Sequence, residues 1–186
     1  MAAHVSDEPS YGLVARTLHW VMFLALVAQF LLGWSIERAD GLLEGLVDRW
    51  LGGEQDLLVV AHAALGAAII VLALVRLGWR RFHGLPPWAA GLSAFERRLA
   101  STVERVLYTL MFAIPVSGLA LLFGSGEDWD LGDRRWEAPL ELADDEVLLA
   151  VHIATHVIFF VTLALHVGLV LKHQLIDRDR LLRRML

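Results

Sequence analysis

Eight histidines and no cysteine bound the redox and metal chemistry open to this 186-residue chain. Five of them, His19, His62, His152, His156 and His166, stand in stretches devoid of Asp, Glu, Lys and Arg. A single histidine in such a stretch can do no more than hydrogen-bond across two helices, although ionisable groups there are functional-site candidates by default. The set, however, is patterned. His62 follows Asp56 by six residues and His152 follows Glu146 by six, whereas His166 precedes Lys172 by six and His19 follows Arg16 by three. On helices rising about 1.5 Å per residue, the first two lie about 9 Å inside one boundary and the other two lie near the opposite one. Four histidines thus fall into two depth-matched pairs.

His152 and His166 are 14 residues apart, close to four helical turns. They share a face to within about 40° and are separated by about 21 Å along the axis. Paired imidazoles on facing helices are what a six-coordinate b-type haem requires, and bundle cores are where such sites are built. The spacing predicts two haems stacked along one bundle. His156, one turn beyond His152, is a rival ligand, but its azimuth from His166 is about 80°. His152 is favoured, with His156 as a core or propionate-contacting side chain. The absence of cysteine excludes disulfides, thiolate-held iron–sulfur clusters and covalent haem attachment through Cys-x-x-Cys-His.

The elements that must position these side chains are apolar. Of the chain, 57% is hydrophobic and 20% charged, against the roughly 45–50% and 25% of soluble domains. The stretches 17–36, 57–75, 106–126 and 147–171 contain no charged residue. As helices, each is long enough to cross a hydrocarbon layer of about 30 Å. The expected architecture is an all-α polytopic membrane four-helix bundle, a single domain over 1–186 with spans at about 17–36, 57–78, 104–124 and 147–171. The first span is longer than a signal-peptide core and no Ala-x-Ala-like site follows it, so it is read as retained.

Charge orients the bundle. Segments 1–16, 76–105 and 172–186 hold 12 of the 16 basic residues against six acids, a balance of +6, while 37–56 and 127–146 hold four against 15, or −11. The positive-inside rule then puts both termini in the cytoplasm and two acidic loops outside. Trp20, Trp34, Trp79 and Trp129 sit near span ends as an interfacial belt. Gly84-Leu85-Pro86-Pro87-Trp88 breaks the second helix, and 92–105 has the spacing of an amphipathic lead-in lying on the inner surface. Pro115 falls inside the third span. Small residues around His62 (Ala61, Ala63, Ala64 and Gly66) suit either a flat ligand or close helix packing.

Arg16-Thr17-Leu18-His19-Trp20, His62 with Gly66, Arg76 and Arg80, Pro86-Pro87, Ile114-Pro115-Val116-Ser117-Gly118, and His152 with His166 occur in one order along the chain. Together with Asp177 to Met185, including Leu182 and Arg184, they resemble the prokaryotic cytochrome b561 family. The resemblance implies a di-haem b cytochrome of the bacterial inner membrane that exchanges electrons with ubiquinone or menaquinone. It also implies His19 and His166 as iron ligands of the inner haem and His62 and His152 of the outer one. Many relatives carry a histidine four residues before the third-helix tyrosine. Here that position, before Tyr108, is Glu104, read as a solvated acid at a helix start.

The leading expectation is a relay between the quinone pool and a one-electron partner. Bis-imidazole ligation supports one-electron cycling without substrate on the metal. Arg16, Arg76, Arg80 and His156 are candidate propionate contacts, and His83 and His173 are read as solvated. The −11 outer face favours a cationic periplasmic electron-transfer protein and repels an anion such as superoxide. Superoxide:quinone oxidoreductase ranks second, and the cytochrome b subunit of a membrane dehydrogenase or hydrogenase is a further alternative. Lipid and quinone are expected partners and a homodimer is a candidate. The charge balance excludes nucleic acid. A transporter would be expected to carry carboxylates within its spans, and the four charge-free stretches have none.

Overall fold

A computed structural model describes residues 10–37, 55–88, 91–126, 128–131, 134–137, 139–178 and 181–186. Four long helices dominate: α1 (Leu13–Glu37), α2 (Gln55–His83), α3 (Ala94–Gly124) and α4 (Asp145–Lys172). All four are long and apolar enough to cross a membrane. Each begins ahead of its charge-free stretch, in residues such as Leu, Ala and Arg that favour helix on their own. The first acidic loop, with Arg38 and Arg49, lies outside the described residues.

The 92–105 segment departs from expectation. It is the opening of α3 rather than a separate surface helix. A capping box starts the helix: the Glu96 N–H donates to Ser93 Oγ (3.2 Å) and the Ser93 N–H donates to the Glu96 carboxylate (2.8 Å). Nothing between there and Gly124 breaks it, since Pro115 is accommodated inside the helix. At the end of α2, Gly84 adopts φ +69 and its N–H returns to the Arg80 carbonyl (3.1 Å), a left-handed stop that glycine takes without a Cβ penalty.

Neighbours in sequence are neighbours in space, α1 against α2, α2 against α3 and α3 against α4. Side-chain pairs show the alternation of direction: Arg76 meets His19, Gln29 meets the carbonyl of His62, Arg80 meets Glu104, and Ser117 meets His152. The result is an up-down-up-down bundle. We call the end bearing residues 10–12, 84–88, 91–93, 173–178 and 181–186 the lower end, and the other the upper end. Two apolar clusters knit the middle, Val103, Leu107, Leu110, Ile114 and Phe159 in one, Met22, Ile69, Ala73 and Met111 in the other. Outward faces carry Leu24, Val71, Leu74, Val116, Val157 and Val161, all exposed. Placing such a side chain in hydrocarbon instead of water is worth about 1.5–3 kcal/mol, so the bundle is complete only within a bilayer.

The upper end adds a small antiparallel hairpin, β1 (Trp129–Leu131) and β2 (Arg134–Trp136), which the sequence pattern did not reveal. Three-residue strands are too short to display an alternation. Arg135 braces the hairpin on Asp128 (3.0 and 2.7 Å), and the Leu142 N–H ties the chain back to the Gly124 carbonyl (2.8 Å).

At the lower end α4 passes into a π-helical turn, His173–Asp177, stopped by Arg178 at φ 57, and then a 3-10 turn, Leu181–Arg184. This tail docks under the bundle. Arg184 donates to the Pro87 carbonyl (2.6 Å), the Tyr11 N–H to the Arg184 carbonyl (3.1 Å), Trp20 Nε1 to the Met185 carbonyl (2.9 Å) and Arg16 to the Leu186 carbonyl.

Candidate functional site: two imidazole pairs

The upper pair is His62 on α2 and His152 on α4. Their ring centres are 6.4 Å apart with planes at 86°. Two glycines make room for the rings. A Cβ on Gly33 would stand 3.0 Å from His62 Cε1, and one on Gly118 would stand 3.0 Å from His152 Cε1. Ser117 Oγ lies 2.8 Å from the Ile114 carbonyl, to which it donates, and 2.9 Å from His152 Nδ1. Gln29 donates to the His62 carbonyl (2.9 Å). Its Oε1 and His62 Nδ1 are buried and find no hydrogen-bond partner among the described residues.

The lower pair is His19 on α1 and His166 on α4, with ring centres 6.3 Å apart and planes at 48°. Arg76 Nη2 lies 3.0 Å from His19 Nδ1, and its guanidinium carbon sits 5.4 Å from the Tyr108 ring centre. Arg80 covers the same ring at 5.5 Å and pairs with Glu104. Tyr11 closes the cluster. Burial, then the nearby Glu104 carboxylate, pushes its phenol up, so it remains a hydrogen-bond donor at neutral pH.

Two imidazoles on one metal, each with a bond of about 2 Å, hold their ring centres about 6–6.5 Å apart. Both pairs meet that measure. Orphaned buried polar atoms, glycine notches against both upper rings and an all-nitrogen donor set fit a flat group held by two histidines. His156 stands beside the upper pair, 4.3 Å ring to ring from His152 and 5.2 Å from Phe30. Phe30 stacks on Phe159 at 5.3 Å, so aromatic side chains fill the space between the helices.

Two solvated-residue expectations fail. His173 is only 1% exposed, because the π-helical turn folds it inward between Asp177 (3.1 Å) and Glu96 (3.7 Å). Glu104 lies inside α3 rather than at its start, and it is partnered by Arg80. His83 is exposed as anticipated and stacks on Trp79, centre to centre 3.6 Å. Of the candidate propionate contacts, Arg16 is engaged with the tail, Arg76 with His19 and Arg80 with Glu104. Ser117 and Gly33 were missed as site residues. Gly33 carries no signal of its own, and Ser117 stands out only as part of the Ile114-Pro115-Val116-Ser117-Gly118 stretch.

Four apolar helices that bring histidines together at two levels define a membrane cytochrome b. The family described as prokaryotic cytochrome b561 matches residues 10–186, and the chain belongs to that family. It is 27% identical to cytochrome b562 of Cereibacter sphaeroides over 98% of both chains. It is 26% identical to cytochrome b561 homolog 2 of Escherichia coli K12, over 95% of this chain and 90% of that one. With the probable superoxide oxidase CybB of Yersinia pestis it shares 25% identity over 95% of each chain. Membership makes it a multi-pass bacterial membrane protein of the haem b-binding, electron-transferring class.

Proposed function

We propose that the protein is a di-haem conduit carrying electrons between the quinone pool and a one-electron partner on the opposite face. His19 and His166 would hold one haem, His62 and His152 the other. The observation that carries this reading is the matched ring separation of the two pairs, 6.3 and 6.4 Å, at opposite ends of one bundle. Bound haem b supplies one-electron Fe(III)/Fe(II) cycling and needs no bond to substrate.

The chain's own residues supply position and polarity. Ser117 engages His152 through Nδ1, which leaves Nε2 for a ligand, and Gly33 and Gly118 leave room for both upper rings. The docked tail reaches the lower pair through Trp20, whose ring meets His19 at 5.4 Å. Arg76 and Arg80 offer cationic partners for carboxylates at the lower level. The lower end carries the basic segments, so it is assigned to the cytoplasm, with both termini there. The acidic upper face then suits a cationic periplasmic donor or acceptor. Reduced holoprotein in detergent should be reoxidised by a short-chain ubiquinone or menaquinone. A reduced protein indifferent to either quinone overturns the quinone half of this reading.

Superoxide oxidation is the second reading, favoured by the Yersinia pestis relative. The −11 balance of the upper segments opposes anion approach. Superoxide decay in the presence of protein and quinone separates the two: near-diffusional consumption supports the oxidase, and consumption no faster than without protein supports the conduit.

A further inference from the structure

We propose that Glu96, His173 and Asp177 form a binding site for a divalent transition metal, zinc above all, where the start of α3 meets the end of α4. The site shares no residue with either imidazole pair and does not depend on the haem assignment.

Three ligands converge there from two elements, an imidazole and two carboxylates. One donor atom of each lies within 4.8 Å of the other two. Donors on a tetrahedral zinc, with bonds of about 2.1 Å, stand about 3.4 Å apart, so no pair has to close by more than about 1.4 Å. Each ring nitrogen has a carboxylate oxygen close to that spacing, Nδ1 that of Asp177 at 3.1 Å and Nε2 that of Glu96 at 3.7 Å.

The ligands are positioned in advance. Glu96 divides its carboxylate: Oε2 accepts the Ser93 N–H of the capping box (2.8 Å), while Oε1 turns to Lys172 and His173. The π-helical turn carries His173 inward to 1% exposure and sets Asp177, four residues on, beside its ring. Hydrogen-bonded carboxylates and a ring fixed by its surroundings are the support that metal ligands require.

A cation already stands between the acids. Lys172 Nζ donates to Glu96 Oε1 and to Asp177 Oδ2 (2.6 Å). Two carboxylates against one ammonium leave a charge of −1 beside a neutral His173. A divalent ion in place of the ammonium cancels that charge. It also takes the imidazole lone pair as a third bond, converging with both carboxylates on one centre. Lys172 can withdraw, because its side chain is 41% exposed on a flexible stem and an ion pair so exposed contributes little. The mixed nitrogen and oxygen donors favour zinc over magnesium, which prefers oxygen alone and keeps its waters. Three protein ligands leave the fourth position to water. The bound ion would clamp the start of α3 to the turn that leads into the docked tail.

The test is a zinc titration of purified holoprotein, first stripped with a chelator, in competition with a chromophoric chelator. The haem bands report the fold of every variant. One saturable site is expected in the parent, together with a zinc-dependent rise in Tm, and magnesium should reproduce neither. Lys172→Gln removes the competing cation and should bind zinc at least tenfold more tightly. Glu96→Gln preserves the capping box, Asp177→Asn preserves shape, and each should weaken binding at least tenfold. His173→Ala should abolish both the site and the rise in Tm, whereas His83→Ala, at an exposed histidine, should change neither. Zinc binding that survives His173→Ala, or is equal in Glu96→Gln, Asp177→Asn and the parent, overturns the proposal. So does the lack of a saturable site in both the parent and Lys172→Gln. None of these outcomes bears on the haem count.

Discussion

Gly118 of α3 approaches His152 of α4 so closely that a methyl group on its Cα would lie 3.0 Å from the imidazole Cε1. Across the bundle Gly33 stands in the same relation to His62, also at 3.0 Å. A Cβ at either position is a tighter contact than side chains normally make, so the ring has to give way, and a branched side chain presses it further. Gly118→Val should lower occupancy of the upper haem, with a cost of about 1–3 kcal/mol as in other overpacked cores. Gly78→Ala is the control, since nothing lies within 4 Å of a Cβ there. It should leave haem content unchanged. Haem content per chain, measured for both variants, checks the contrast.

A buried histidine at the lower end serves stability rather than redox chemistry. His173, 1% exposed, sits between the Asp177 and Glu96 carboxylates, and Lys172 bridges the same two acids. The cluster joins the start of α3 to the end of α4. His173→Ala should cost about 1–3 kcal/mol of stability, as loss of a buried polar network does. Thermal unfolding in detergent should show a lower Tm, with haem bands unchanged in position. A variant as stable as the parent, or one that loses a haem, contradicts this role.

Orientation is open to direct labelling, because the chain contains no cysteine. Phe82, 84% exposed, lies at the lower end, and Leu140, 54% exposed, lies at the upper end. A membrane-impermeant maleimide should label Leu140→Cys in intact spheroplasts. Phe82→Cys should react only after lysis. The reverse pattern would put the acidic face in the cytoplasm and exchange the proposed partners.

The four helices and the pairing of His62 with His152 and of His19 with His166 were legible because two simple signals coincide. Membrane spans are long uncharged runs, and 14 residues is close to a whole number of turns. The environment of the rings was not legible. Ser117 and Arg76 reach them from other helices, and a one-dimensional pattern does not record which faces meet. The burial of His173 is hidden from the sequence for a similar reason. Adjacent to Lys172 at the end of a span it looks solvated, but a π-helical turn rotates it inward. Likewise, Ser93 and Glu96 carry a capping box that makes 92–105 the opening of α3, although its amphipathic spacing fits a surface helix equally well.

If each histidine pair holds one haem, a pyridine haemochrome count on purified protein reads it out. Two haems b per chain are expected, falling to one in His62→Ala and to one in His19→Ala, with His156→Ala retaining two. A colourless protein, or a single haem lost equally in His62→Ala and His19→Ala, would contradict it.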